Sequence, residues 1–366
     1  MGFSCGIVGL PNVGKSTLFN ALTHTTLAQA ANYAFTTIDS DVGQVAVPDS
    51  RLTNLARLAR SAKIVPTQIE FVDIAGLVRG ASGGEGLGNK FLGHIRQVDA
   101  IIHLVRCFEG GNVSHVDGRV DPVADVETIE TELLLADLES MERRTEQGEK
   151  KAKGHNKELT RSDLVMRKVL DGLALGVPAA RAALTDAERE IVAGLGLLTA
   201  KPVLYVCNVG EADVASGNVH SARIVERAAA ENRSVIILCA AMEAELSALD
   251  SESERMEYLQ SAGLTETGLG RVIREGYELL GLLTFFTAGR TEAHAWTVRR
   301  GTKAKEVAGR IHTDMERGFI RAEVIAYDDY ATAGTEAAAR AAGKMRLEGK
   351  DYVVVDGDVL LIRFNV

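Results

Sequence analysis

Little in this chain points to metal clusters, membranes or secretion. Its 366 residues include only four cysteines. Cys5, Cys107, Cys207 and Cys239 show no CxxC spacing, and each lies in or beside an apolar run that reads as a strand. Such thiols are expected to be buried and inert rather than disulfide-bonded or metal-bound, which points to a reducing cytoplasm. Positive charge is not in excess either. The net charge of −9 argues against a protein that coats nucleic acid nonspecifically. No apolar stretch is long enough to cross a bilayer, so no membrane partner is expected. The N-terminus lacks a basic segment followed by an apolar core, so no secretory signal is expected. Gly6 also stands where a myristoylation signal needs Ser or Thr. What remains is an ordinary globular composition, 46% hydrophobic and 25% charged, long enough for two or three domains.

Against that plain background one segment stands out. Gly9-Leu10-Pro11-Asn12-Val13-Gly14-Lys15-Ser16-Thr17 is a complete phosphate-binding loop, preceded by the apolar run Cys5–Val8 and followed by a segment able to open a helix. Glycine lets the backbone approach a phosphate, and consecutive N–H groups then point at its oxygens. The helix N-terminus adds partial positive charge. Asn12, Val13, Gly14, Lys15, Ser16 and Thr17 are therefore expected to hold the phosphates of a nucleoside triphosphate. Lys15 would reach the β/γ-phosphates, and Ser16 would hold Mg²⁺ through its hydroxyl. The side-chain oxygen of Asn12 suits a monovalent cation such as K⁺ beside the phosphates, although a plain loop residue reads the same way.

Apolar runs at Cys5–Leu10, Ile69–Val72, Ala100–Val105, Val203–Cys207 and Val235–Leu238 alternate mostly with helical stretches, the pattern of a parallel sheet covered on both faces. The interval from Arg106 to Val203 far exceeds the roughly 30 residues of a strand–helix–strand unit. Its excess, residues 131–198, has Leu134, Leu138, Met141, Leu159, Val169, Leu170 and Leu173 at helical spacing around a polar stretch with Gly148 and Gly154 as breakers. It reads as an antiparallel helical hairpin. Residues 283–366 read as a small α+β module, with strands at Ala295–Val298, Ile320–Ala326, Tyr352–Val355 and Val359–Phe364 and a helix over Lys303–His312. That division predicts a nucleotide-binding domain from 1–130 and 199–282. Arg299, Arg300, Lys303 and Lys305 cluster near the last module's first strand, either as a solvated face or as an RNA-contacting one.

Asp73-Ile74-Ala75-Gly76 follows an apolar run. An acid at that strand end can hold Mg²⁺ through water, and a flexible glycine can offer its N–H to a γ-phosphate and move when it leaves. Thr36 and Thr37 occupy the segment where a switch threonine would cap Mg²⁺, with Thr37 favoured. The expected metal ligands are Ser16, Thr37 and Asp73; the expected catalytic groups include Lys15, Thr37 and Gly76. The glycine-rich run Gly80–Gly88 is costly to order, which suits a loop that orders with nucleotide. Leu77 stands where small GTPases carry a water-orienting glutamine, so hydrolysis is slow or uses another group. His115 is one candidate, against a simple surface histidine.

The base-reading motif of GTPases is Asn-Lys-x-Asp at a strand end. Here the strand is followed by Asn208-Val209-Gly210-Glu211: the lysine is lost and the acid is one methylene longer. A hydrogen bond to a charged group contributes roughly 1.5–3 kcal/mol, so misplacing that carboxylate erases much of the guanine preference. Asn208, Val209, Glu211, Cys239 and Ala240 are expected around the base, with ATP accepted and preferred.

These residues resemble one family in particular, the Obg-like ATPases of the YchF group. The similarity spans nearly the whole chain. It includes Gly9–Thr17, Phe71–Val78, Gly86–Asn89, Val105–Glu109, Asn208–Glu211, Phe286–Gly289, Ala295–Thr297, Ile311–Asp314, Gly318–Ile320 and the closing Asp356-Gly357-Asp358…Phe364-Asn365. The resemblance implies an α/β P-loop NTPase domain with a mainly parallel sheet, a helical coiled-coil insertion and a C-terminal β-grasp (TGS) module. It also implies Mg²⁺-dependent hydrolysis of ATP in preference to GTP, stimulation by K⁺, and association with ribosomes or a ribosomal subunit in the cytoplasm. RNA contact through the TGS module would fit that setting, as would a role in translation or stress response. A GTPase acting in ribosome assembly and an ATP-gated binding scaffold are the competing readings. In that family a histidine in the loop matching residues 110–117 supports hydrolysis, which strengthens His115. Tyr33-Ala34-Phe35-Thr36 departs from the family's usual Phe-Pro-Phe-Cys, while Thr37 keeps its place.

Overall fold

The computed structural model describes residues 3–30, 41–74, 87–109, 120–154, 160–249 and 251–365. Two six-stranded sheets organise these residues. The strands are β1 (Ser4–Val8), β2 (Val42–Ala46), β3 (Lys63–Val65), β4 (Gln68–Asp73), β5 (Ala100–Arg106), β6 (Val203–Asn208) and β7 (Val235–Leu238). After these come β8 (Leu282–Ala288), β9 (Glu292–Arg299), β10 (Phe319–Ala326), β11 (Arg346–Glu348) and β12 (Asp358–Phe364).

The first sheet runs β2-β4-β1-β5-β6-β7 and is parallel except for β2, which lies antiparallel to β4. All residues of β1 and β5 are buried, as expected of strands covered on both faces. The chain leaves β1 toward β4 on one side and then crosses to β5 on the other. The loop after β1 therefore sits at the point where strand order reverses, the crevice where such sheets place ligands.

The helical insertion begins earlier than expected and does not break at Gly148. One helix spans Pro122–Gly154, and Arg161–Ala174 turns back along it, with Met141 packed among Val165, Val169 and Leu173. A Cβ built on Gly148 would lie 2.7 Å from Asp163 Oδ1. Glycine there permits close approach of the two helices instead of ending one.

The second sheet runs β11-β10-β12-β8-β9-β3. Its last strand, β3, comes from the chain well before residue 283 and pairs parallel with β9, Ile64 opposite Ala293. The helix Ser50–Ala59 joins the same unit: Leu52, Leu55 and Ala56 pack with Phe286, Ala295, Ile325 and Tyr330. Residues 50–65 thus belong by packing to the C-terminal core. The expected strand at Tyr352–Val355 is absent, and only an isolated bridge joins Val353 to Lys303; β10 pairs antiparallel with β12 on one side and with the short strand β11 on the other. Two members of the basic cluster are engaged within the chain. Arg299 pairs with Asp99 at 3.6 Å and lies over the Phe3 ring, and Lys303 pairs with Asp351 at 2.9 Å. Among the described residues no helix is long and apolar enough to cross a membrane.

Candidate active site

The phosphate loop leaves β1 at Gly9 and enters the helix Lys15–Ala30. Two positions turn it through the left-handed region, Asn12 at φ 64° and Gly14 at φ 99°. Glycine is needed for space as well: a Cβ on Gly9 would stand 2.5 Å from the Leu104 carbonyl oxygen, and one on Gly14 would stand 2.5 Å from Asn208 Nδ2. The helix closes with Leu18 N donating to Gly14 O at 3.0 Å.

Lys15 is buried, and its Nζ donates to the carbonyls of Gly9 and Leu10, both at 2.9 Å. An ammonium has three donors, so one remains for a further acceptor. Burial pulls its pKa down, while the carboxylate of Asp73 opposes that shift. Asp73 ends β4, where its Oδ2 accepts from Ser16 Oγ at 3.3 Å. Its Oδ1 is buried with no hydrogen-bond partner among the described residues. Burial raises the Asp73 pKa, opposed by Lys15 and the Ser16 hydrogen bond. An orphaned buried carboxylate oxygen beside a hydroxyl is the hard-oxygen donor set that suits Mg²⁺.

The base side is built at the ends of β6 and β7. Asn208 Nδ2 donates to Val13 O at 2.9 Å, and Ala240 N donates to Asn208 Oδ1 at 2.9 Å. Val209 is buried, and its N–H donates to Leu238 O. Glu211 is exposed; its Oε1 accepts from the Tyr258 hydroxyl at 3.2 Å, a hydroxyl that also reaches Glu245 at 2.7 Å. A cavity of about 560 Å³ joins the two halves. Asn12, Gly14, Lys15, Ser16 and Thr17 line its phosphate side, and Asn208, Val209, Glu211, Cys239 and Ala240 its base side. Val13 lies beneath with its carbonyl tied to Asn208. Asp73 reaches the site through Ser16. Thr36, Thr37, Gly76, Leu77 and His115 lie outside the described residues.

Two contributors escaped the sequence reading. Phe108 lines the cavity just beyond β5, with the buried Arg106 guanidinium 4.5 Å from its ring centre. An aromatic directly after a buried strand at the ligand end of the sheet was a usable signal. Tyr258 comes from the helix Glu252–Ser261, remote in sequence, and no local pattern marks it.

Known proteins share this architecture. Residues 4–136 match a family model described as 50S ribosome-binding GTPase, and residues 282–365 match YchF-GTPase_C, described as a protein of unknown function. Ribosome-binding ATPase YchF of Bacillus subtilis is 53% identical over 368 residues, covering 100% of both chains. The chain belongs to the YchF family. A protein of the same name from Haemophilus influenzae is also 53% identical, again over 100% of both chains. The solved YchF GTPase of Schizosaccharomyces pombe is 38% identical, with a TM-score of 0.88 over 99% of this chain and 98% of that one. The α/β P-loop fold and nucleotide hydrolase activity of the family follow for this chain. The relatives' names differ on the base, ATPase for the two bacterial proteins and GTPase for that of Schizosaccharomyces pombe.

Proposed function

We propose that the chain is an ATP-hydrolysing switch that binds ribosomes or a ribosomal subunit in the cytoplasm and modulates translation or a stress response. The observation that carries the adenine preference is the corner Val209–Glu211, with a buried apolar side chain where the motif has lysine and an exposed acid one methylene longer. In the Asn-Lys-x-Asp arrangement the acid accepts two hydrogen bonds from guanine. Here the longer Glu211 side chain is exposed beside a Tyr258 hydroxyl whose single proton lies closer to Glu245, and Val209 replaces the lysine with a buried apolar side chain. Adenine has no pair of donors on the matching edge, so it loses nothing at this corner, whereas guanine loses its main recognition.

On the phosphate side, Lys15 offers its remaining N–H to the β/γ-phosphate oxygens. Ser16 and Asp73, with Thr37, would hold Mg²⁺, which when bound supplies positive charge against those oxygens. Gly76 responds to the γ-phosphate, His115 supports the hydrolytic water in place of the missing glutamine, and Asn12 faces a K⁺ position. Bound ATP orders Thr37 and Gly80–Gly88, and hydrolysis releases them.

Titrating ATP and GTP against one preparation tests the base preference. ATP is expected to bind at least about tenfold more tightly, the span of one charged hydrogen bond; tighter GTP binding refutes the reading and favours a GTPase in ribosome assembly. The double variant Val209→Lys, Glu211→Asp is expected to gain guanine affinity. Sedimentation with ribosomes under ATP, ADP and no nucleotide tests the partner. Pelleting that depends on nucleotide is expected, and no pelleting in any state overturns it.

A further inference from the structure

Besides the exposed Arg300 and Lys305 of the cluster that the sequence singles out, the C-terminal unit gathers three arginines elsewhere. A separate cleft of about 590 Å³ lies where the helix Ser50–Ala59 meets the turn between β8 and β9. Arg57, Arg60 and Arg290 all line it. The Arg57 side chain donates to Asn54 Oδ1 at 2.8 Å, and none of the three arginines has a carboxylate ion pair among the described residues. The lining carboxylate, Glu336, already pairs with Arg340 at 3.1 Å.

The cleft is held together by backbone. Ala62 N donates to Arg290 O at 3.0 Å, and Ser61 Oγ donates to Gly289 O at 2.7 Å. The residue capping the helix, Arg60, sits in the left-handed region at φ 53°. Glycine adopts that conformation at lower cost, yet a long cationic side chain occupies it. A helix C-terminus favours cations, which accounts for Arg57 and Arg60 but not for Arg290, contributed by a different segment. Like charges gathered in one cleft repel unless an anion lies between them.

We propose that this cleft binds the phosphate backbone of RNA, with Arg57, Arg60 and Arg290 contacting non-bridging oxygens. The inference rests on the ribosome-binding reading and names the surface and chemistry of that contact. Among the described residues that line the cleft the one ring is Tyr330, and it is buried. Contact is therefore to backbone charge, without stacking or base reading.

The test uses the full-length protein and a labelled RNA duplex of arbitrary sequence, titrated across a salt series. The variant Arg57→Gln, Arg60→Gly, Arg290→Gln is compared with wild type and with Arg310→Gln, Arg317→Gln, which removes two arginines of the same unit that lie off the cleft. Arg60→Gly loses the guanidinium while taking the residue that φ prefers, so that single variant separates charge loss from misfolding. The triple variant is expected to bind the duplex at least about tenfold more weakly, with a log–log salt slope shallower by about 2–3. The control variant is expected to keep wild-type binding. Equal affinity and slope in wild type and triple variant overturn the proposal, as does an equal loss in the control. Competition by a phosphoserine peptide as effective as unlabelled RNA overturns the RNA assignment. Ribosome sedimentation separates the two readings. If wild type and triple variant pellet equally, the cleft fails alone. If wild type does not pellet, the ribosome reading fails while the duplex titration still decides the cleft.

Discussion

Asn208 bridges the two halves of the nucleotide cavity, donating to the Val13 carbonyl at 2.9 Å and accepting from Ala240 N at the same distance. Both partners are buried, so neither finds water if the amide is removed. Asn208→Ala is expected to cost about 1–3 kcal/mol for each group left unpaired. ATP and GTP affinities should fall together, by roughly ten- to hundredfold, because the bridge shapes the phosphate loop rather than reading the base. Parallel titrations decide this; loss confined to one nucleotide would assign Asn208 to base recognition.

Asp73 opposes folding and serves the site. Burial raises its pKa, so the folded chain holds the proton more tightly than the unfolded one. Stability from that group is fully present below the ordinary carboxylate range and is lost as pH rises through the folded value. At neutral pH Asp73→Asn is therefore expected to raise the melting temperature of the nucleotide-free protein, a gain that vanishes as the pH is lowered into the carboxylate range. The same change should lower Mg²⁺-dependent hydrolysis by about 10²-fold. Thermal melts across pH, alongside turnover assays, check both halves.

The phosphate loop was legible because it is local: a glycine-bearing turn after an apolar strand needs no distant partner to be recognised. The central strands β1, β5 and β6 likewise appear as continuous apolar runs, since both faces are covered. What escaped is non-local. The strand β3 is three residues long and pairs with β9, more than two hundred residues later, so nothing nearby marks it. Tyr352–Val355 carries the valines of a strand, but Val353 and Val355 are exposed and only Val353 bridges, to Lys303. Gly148 reads as a breaker until the partner helix is present to explain its missing side chain.

His103, in the middle of β5, is buried beside the Tyr205 ring, with centroids 5.8 Å apart. Burial, opposed by Glu130, lowers its pKa to about 4 from 6.5. A histidine depressed in the folded state contributes stability that is present above pH 6.5 and is lost as pH falls toward 4. Acidification from pH 7 to 4 should thus remove up to about 3 kcal/mol through this residue. Denaturant titrations at several pH values should show that loss in wild type and a flatter profile in His103→Phe. An identical pH profile in both would show that the loss arises elsewhere.

Leu55 ties the C-terminal unit to the N-terminal half. It is fully buried in the core that contains Phe286, Ala295 and Ile325. The same helix adds an Asn54–Tyr327 hydrogen bond at 2.9 Å and an Arg51–Asp356 ion pair at 2.6 Å, with the Arg51 guanidinium over the Phe286 ring. One face of the second sheet is therefore completed only by residues 50–65. Leu55→Ala in the full chain is expected to cost about 2–5 kcal/mol, the range for a leucine truncated in a packed core. A fragment of residues 282–366 should lack a cooperative thermal transition, having an uncovered apolar face and an unpaired β9 edge. Fusing residues 49–65 to that fragment should restore the transition and near-ultraviolet dichroism. A fragment that melts cooperatively without the fusion, at the temperature of the intact unit, would show that helix and strand merely decorate a core already complete.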